Sequence, residues 1–391
     1  MNTSSLSDGN WSSVLACLGE VADLEATARA FGAFQRRGQV ADAKGVLRLA
    51  LMYGPGGLSL RATAAAAEGL VGSLSDKAVE GRLRKAGAWL EHLLERLLSA
   101  RMGQSLSDAL GLIDSSVIKP PGKGPQWRVH ARYDPGRGRF VDLKLTPTTV
   151  SEKVAHTAPE AGQTVITDRG YARVRDIATV LAQGAEFITR IGWRSLRLLD
   201  ADGNVFDLIS VLPDTDEATE YQVWLKGVDR PLRLILQRLP GDQMTRTAKR
   251  ALRKSAKNRS KIDPRTLQGA NYLMLLSSLP ADQQGAEQVT ELYRTRWQVE
   301  LGFKRLKTLS GIDALPSADP RLARTWLLAH LIVAVLTEDL TEEILDFPPS
   351  RADASVLLTL ESLAISAQDD PQRDLSTTAS TDKTTENGPH A

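Results

Sequence analysis

Two aspartates close apolar runs in this chain: Asp114 ends Ala109-Leu-Gly-Leu-Ile-Asp114, and Asp168 ends Thr164-Val-Ile-Thr-Asp168. Such runs read as buried strands. In open α/β sheets, ligand-handling groups gather at the carboxyl ends of strands. A single aspartate there commonly caps the next element. Two on adjacent strands repel each other, and a divalent cation between carboxylate oxygens is the common remedy.

A third acid, Glu300, lies in Tyr293-Arg-Thr-Arg-Trp-Gln-Val-Glu300-Leu-Gly-Phe-Lys-Arg-Leu-Lys307. At about 100° per residue, Tyr293, Arg296, Trp297, Glu300, Lys304 and Lys307 share one helical face about 100° wide. Leu292, Val299, Phe303 and Leu306 fall on a separate, apolar face. A solvated face with Glu300 and Lys304 as an ordinary i,i+4 pair is the simpler reading. It does not explain Tyr293 and Trp297 among the charges. Cations for phosphates and rings for bases suit a strand of DNA.

The elements that must position these residues can be read in order. Asp23 to Phe34, Val40 to Met52, Ser59 to Glu68 and Ser75 to Ser99 carry apolar residues at helical spacing, with Ser59 and Ser75 as N-caps. The pair from Ser59 and from Ser75 reads either as a helix-turn-helix presenting Arg82, Arg84 and Lys85, or as a small bundle with a solvated basic face. From residue 109 the period becomes that of strands. A central strand precedes a hairpin (Trp127 to Tyr133, Arg139 to Leu145), then a strand, a helix (Val174 to Gln183) and a strand (Glu186 to Ile191). Further strands are expected at Leu196 to Leu199, Val205 to Val211, Tyr221 to Lys226, Leu232 to Gln237 and Tyr272 to Ser277. The chain is helical again from Ala286 to about Leu345. This is a mixed α/β pattern.

Charge is nearly balanced, with 49 Lys and Arg against 47 Asp and Glu, but unevenly spread. From Arg246 to Arg265 there are nine cations, among them Lys249, Arg250, Arg253, Lys254 and Lys257, against Asp263 alone. A merely solvated helix would mix signs, so this basic helix is expected to meet DNA. The loop Lys119-Pro-Pro-Gly-Lys123 is basic too and lies just beyond Asp114. From Ser366 onward the chain is acidic, polar and free of aromatics, an irregular tail. The only cysteine is Cys17, which excludes an intramolecular disulfide and suits the cytoplasm. The longest apolar run, Trp326 to Leu336, is too short to cross a membrane. The five histidines are scattered, and neither a nucleophile elbow nor a dinucleotide fingerprint is present.

Tyr293, Arg296, Glu300 and Lys307 together resemble the Tyr-Arg-Glu-Lys signature of insertion-sequence transposases of the DDE type. Leu112-Ile-Asp114-Ser-Ser-Val and Ile166-Thr-Asp168-Arg-Gly-Tyr171 resemble that family's first and second acid motifs. The resemblance covers roughly residues 20 to 345. It implies an α/β fold: a ribonuclease-H-like mixed sheet with a β-rich insertion at about 193–285, preceded by an all-α N-terminal domain. The expected division is residues 1–100 as a helical, DNA-binding-like domain, 105–345 as the catalytic domain and 346–391 as the tail. It implies that Asp114, Asp168 and Glu300 form a catalytic triad binding two Mg2+ ions, with Mn2+ able to substitute. Tyr293, Arg296 and Lys307 would hold phosphates near the transposon end, with Trp297 and Lys304 contacting DNA beside them. Two such ions can activate water and stabilise a leaving 3′ oxygen. The implied partners are double-stranded DNA, as terminal inverted repeats and as target, and a second copy of the chain in a homodimer.

One departure stands against this. After Leu345 the family usually continues basic and helical, whereas Asp346-Phe-Pro-Pro-Ser350 leads here into the acidic tail. The alternative expectation is therefore an impaired or truncated copy that binds DNA ends and inhibits or represses transposition.

Overall fold

The computed structural model describes residues 8–19, 23–36, 38–102, 110–120, 124–157, 159–257, 259, 261–312 and 315–346. Lys123 and the acidic stretch from Ser366 lie outside the described residues.

Among the described residues five helices come first: α1 (Asp8–Gly19), α2 (Leu24–Ala30), α3 (Ala43–Tyr53), α4 (Leu60–Ala67) and α5 (Asp76–Met102). Their starts are set by side-chain caps. Asp23 accepts the Glu25 and Ala26 amides at 3.1 and 3.0 Å, and Asp42 accepts that of Gly45 at 2.9 Å. Ser59 accepts the Ala62 amide at 3.1 Å and Ser75 that of Ala78 at 3.2 Å. Each cap satisfies a donor that the first turn leaves without a partner.

The stripe of α5 (Leu83, Ala86, Leu90, Leu93, Leu94, Leu97, Leu98) is fully buried. It packs chiefly on the last helix, α11 (Pro320–Asp346), whose apolar run from Trp326 to Leu336 forms the centre of the same core. Arg101 on α5 is buried here. It meets Glu338 at 2.8 Å and Asp339 at 2.9 Å, and donates to the carbonyls of Phe140 and Val335. Among the described residues no helix is long and apolar enough to cross a membrane.

The strands are β1 (Leu110–Ile118), β2 (Trp127–Asp134), β3 (Arg139–Pro147), β4 (Thr164–Thr167), β5 (Glu186–Arg190), β6 (Leu198–Leu199), β7 (Thr219–Leu225), β8 (Leu232–Arg238) and β9 (Tyr272–Ser277). They form one sheet in the order β3-β2-β1-β4-β5-β9-β8-β7-β6. β1, β2 and β3 are antiparallel, while β4 and β5 run parallel to β1. This 3-2-1-4-5 order is the ribonuclease-H-like arrangement. Beyond β5 the strands are antiparallel and continue the same sheet. Alternation along the strands divides the core. Leu112, Ile166 and Ile188 face the α5 and α11 side. Ile113, Val165 and Phe187 face α6 (Val174–Ala182).

Three expectations differ. The first strand does not close at Asp114: β1 runs on to Ile118, because residues 114–118 stay paired with β2 after the pairing with β4 has ended. Val205 to Val211 is not a strand: Val205 makes one isolated bridge to Leu199, and Leu208–Val211 is a 3-10 turn. Asp207 accepts the Ile209 amide at 3.2 Å and Ser210 Oγ donates to the Asp207 carbonyl at 2.7 Å, so local bonds outcompete the ladder. The stretch from Tyr293 to Lys307 is not one helix either. α9 (Ala286–Arg294) ends and α10 (Trp297–Ser310) begins around a tight turn. There the Thr295 amide donates to Leu292 and the Arg296 amide to Tyr293, both at 3.1 Å, three residues back rather than four. Thr295 Oγ1 also donates to the Leu292 carbonyl, at 2.7 Å.

Candidate active site

The parallel register of β1 and β4 pairs Leu112 with Ile166 and Ile113 with Thr167. Asp114 and Asp168 are therefore the next residues on adjacent strands, which run about 4.8 Å apart. The same face carries Arg190, which ends β5 beside them, since Thr167 pairs with Thr189. Asp168 caps a 3-10 turn (Arg169–Tyr171) by accepting the Arg169 amide. Glu300 comes from the first turn of α10. That helix lies close on the sheet because Gly302 faces Tyr133 and Phe140: a β-carbon there would sit 3.0 Å from atoms of each ring.

Arg296 joins the acids. Its Nη1 is 3.7 Å from Asp114 Oδ2, and its Nη2 is 2.5 Å from Glu300 Oε1. Burial pushes the Asp114 carboxyl up to about 6. The Ser115 amide and Arg296 work against the rise, whereas Asp168 and Glu300 add to it. Burial opposes the Arg296 charge, yet the bond to Glu300 and the nearby Tyr293, Glu300 and Asp114 more than offset this and raise its pKa.

Of the other residues expected here, Tyr293 is buried at 8% exposure, where the tightened turn directs it inward beside Arg296, Arg190 and Asp168. Burial raises its pKa, so its phenol stays neutral at physiological pH. Trp297 is the opposite case, 54% exposed. Lys304 is exposed on α10, and Lys307 donates to the Val117 carbonyl of β1 at 3.3 Å. Of the cations expected on the second helix of the N-terminal pair, Arg84 is engaged by Glu80 and Asp319, both at 2.8 Å.

The basic segment has a place that spacing did not reveal. It forms α7 (Gly241–Lys257) and α8 (Pro264–Gly269) in the connection between β8 and β9. Arg238 pairs with Tyr272, and Arg190 pairs with Leu275, so this connection leaves the sheet at the end that carries Asp114 and Asp168. Lys249, Arg250, Arg253 and Lys257 are exposed, and among the described residues none has an acid within ion-pair distance. The side chain of Lys254 lies outside the described residues. Trp193 anchors the arm: its Nε1 donates to Thr266 at 3.3 Å, and the Arg194 and Arg265 guanidinium carbons lie 4.2 and 4.8 Å from its ring centre. Those arginines also pair with Asp263 and Asp207.

Sequence reading missed Arg169 and Arg190. They face each other beside Asp168, and each lacks an acid within ion-pair distance among the described residues. The signal was available: Arg190 ends an apolar run just as the two aspartates do.

All-oxygen donors suit a hard divalent cation in kind. As the side chains stand, however, no three His, Cys, Asp or Glu residues among those described are close enough to hold one ion. Asp114 and Asp168 are side by side, but Glu300 is turned to Arg296. Its carboxylate is 57% exposed, so it has room to rotate.

The family described as "Transposase DDE domain" matches residues 106–336. The chain belongs to this family. As a DDE transposase it is 38% identical over 361 residues to the putative transposase InsL for insertion sequence element IS186A of Escherichia coli K12, covering 88% of this chain and 98% of that protein. It is likewise 38% identical over 362 residues to the transposase for IS421 of Escherichia coli, with the same coverage. Among solved structures, the piggyBac transposase synaptic complex with hairpin DNA aligns with a TM-score of 0.49 and 9% identity, over 92% of this chain and 83% of that one. None of these findings favours an impaired, end-binding copy of a DDE transposase.

Proposed function

We propose that this transposase cuts DNA at the terminal inverted repeats of its element and joins the freed 3′ ends to target DNA, with Asp114, Asp168 and Glu300 as the catalytic acids. The observation that carries this reading is the placement of Asp114 midway along β1, where its parallel pairing to β4 stops, beside Asp168 just past the end of β4, with Glu300 brought to the same place by α10. In the first step a water oxygen bonds to phosphorus and the bond to the 3′ oxygen breaks. The 3′ oxygen takes up a proton and the flanking DNA keeps the phosphate. In the second step that 3′ hydroxyl attacks a target phosphodiester, loses its proton and displaces a target 3′ oxygen.

The three carboxylates would hold two Mg2+ ions, or Mn2+, which when bound neutralise phosphate charge and ease deprotonation of the nucleophile. Arg296, Arg169, Arg190 and Lys307 would grip phosphates around the cut, and exposed Trp297 would offer a face for a base. Tyr293 would act from within, as a neutral phenol beside Arg296. Lys249, Arg250, Arg253, Lys254 and Lys257 would extend the grip along the duplex. Residues 1–100 would form a helical DNA-binding-like domain on the catalytic domain 105–345, and a homodimer would bring two ends together.

The test is a linear duplex carrying the terminal repeats, incubated with Mg2+. Nicking at the repeat boundary is expected from the unmutated chain and is lost in Asp114→Ala, Asp168→Ala and Glu300→Ala. Binding without metal-dependent nicking in the unmutated chain would sink the reading.

A further inference from the structure

We propose that Arg296 is the resident counter-cation of the acid centre, and that a DNA phosphate opens Glu300 to a divalent ion by drawing Arg296 away. The proposal rests on the reading of the three acids as ion ligands. One guanidinium serves two of them at once, with Nη1 at 3.7 Å from Asp114 and Nη2 at 2.5 Å from Glu300. A divalent ion between those carboxylates would meet a fixed positive charge and would have to compete for the Glu300 oxygens. In this arrangement no three acids are close enough to hold an ion.

The arrangement is local and reversible. Arg296 and Glu300 are one helical turn apart, and only α10's own first turn has to adjust. Glu300 is largely exposed, whereas Arg296 is only 18% exposed, so the carboxylate has more room to move. A phosphate offers the guanidinium the same forked, charge-assisted partner that Glu300 now provides. Exposed Trp297 and Lys304 mark the side from which a strand would come. Once Arg296 has turned to a phosphate, Glu300 has lost its cation and joins Asp114 and Asp168. Ion binding and DNA binding are then positively coupled, and the coupling is reciprocal. In the DNA-free chain Asp114 and Glu300 share a fixed cation in place of an ion, which limits cutting to the time when an end is in place.

The test is Mn2+ binding to the full chain, followed by electron paramagnetic resonance with and without a terminal-repeat duplex, and with the duplex alone as blank. Without DNA, Arg296→Gln should bind Mn2+ at least about fivefold more tightly than the unmutated chain. Arg294→Gln removes the same charge two residues away, from a guanidinium paired with Glu291 at 2.8 Å, and should leave the affinity within about twofold. DNA should tighten Mn2+ binding to the unmutated chain more than to Arg296→Gln. If Arg296→Gln binds no more tightly, or if Arg294→Gln tightens equally, the proposal is overturned. If Asp114→Asn/Asp168→Asn binds Mn2+ as the unmutated chain does, the acid centre itself has been misread. A thermal melt of each variant separates these outcomes from failure to fold.

Discussion

Gly302 of α10 lies against Tyr133 of β2 so closely that a β-carbon would sit 3.0 Å from a ring carbon. The ring cannot give way, because Tyr133 is itself buried and meets Phe140 edge-on at 5.2 Å between centroids. The contact fixes the height of α10 above the sheet, and with it the reach of Glu300. Gly302→Ala should gain roughly 0.5–1 kcal/mol of helix propensity and lose about 1–3 kcal/mol to overpacking. The net loss of stability by denaturant titration should lie between zero and about 2.5 kcal/mol, while the nicking rate falls at least tenfold. An unchanged rate would show that α10 is not positioned by this contact.

Asp114 makes the metal-free protein sensitive to pH in a defined direction. Its carboxyl is pushed up to about 6 by burial, above an unfolded-chain value near 3.9. Above both values the folded state carries a buried charge that the unfolded chain does not. Below both values the penalty is gone. Asp114→Asn should therefore stabilise the ion-free chain at pH 8, on the order of 1–3 kcal/mol. The advantage should shrink as pH falls through 6 and vanish near 4. Denaturant titrations in a chelator at three pH values check this; a constant advantage would assign the effect to something other than titration.

The arm and the paired arginines should separate in a salt series. Replacing Lys249, Arg250, Arg253 and Lys257 by Gln should lower the slope of log affinity against log salt by up to about 0.9 per residue. The loss should be equal on specific and unrelated duplexes. Arg169→Gln and Arg190→Gln should each lower the slope by a similar amount and slow nicking as well, since they flank Asp168. Fluorescence anisotropy and a nicking assay on the same samples would settle both.

Arg101 ties the opening helices to the catalytic sheet through Glu338, Asp339 and two carbonyls. Arg101→Met would leave Glu338 without its cation and the Phe140 and Val335 carbonyls without this donor, while Asp339 keeps Arg139 at 3.4 Å. A destabilisation of about 3–5 kcal/mol is expected. It should appear as a lower denaturant midpoint, and hydrogen exchange should rise in α5 and α11 together. Protection unchanged in α11 would mean that the tie is redundant.

The acids and the signature residues were legible in the sequence because each sits at a marked position: the end of an apolar run, or a fixed step along a helix. The same runs gave a mixed α/β pattern, and the ribonuclease-H-like order came from the resemblance to the transposase family. The turn at Thr295 was not legible, because its backbone stays right-handed and only the bond length of three residues differs from a helix. Hence Tyr293 looked like a surface residue and is not. The site of the basic arm also escaped, since whether β8 and β9 join the catalytic sheet, and at which end their connection leaves it, depends on pairing between distant segments. Local bonds from Asp207 likewise overrode the strand-like pattern of Val205 to Val211.

The hydrogen bonding of β5 to β9 has a mechanical result. The arm hangs from β8 and β9, and these strands belong to the same ladder as the one that ends in Asp168. No loose tether separates the basic helix from the acids. On the proposed reading the sheet would work as a caliper: the distance along the double helix between a phosphate held by the arm and the bond to be cut would be set by strand spacing, not by stretching a linker.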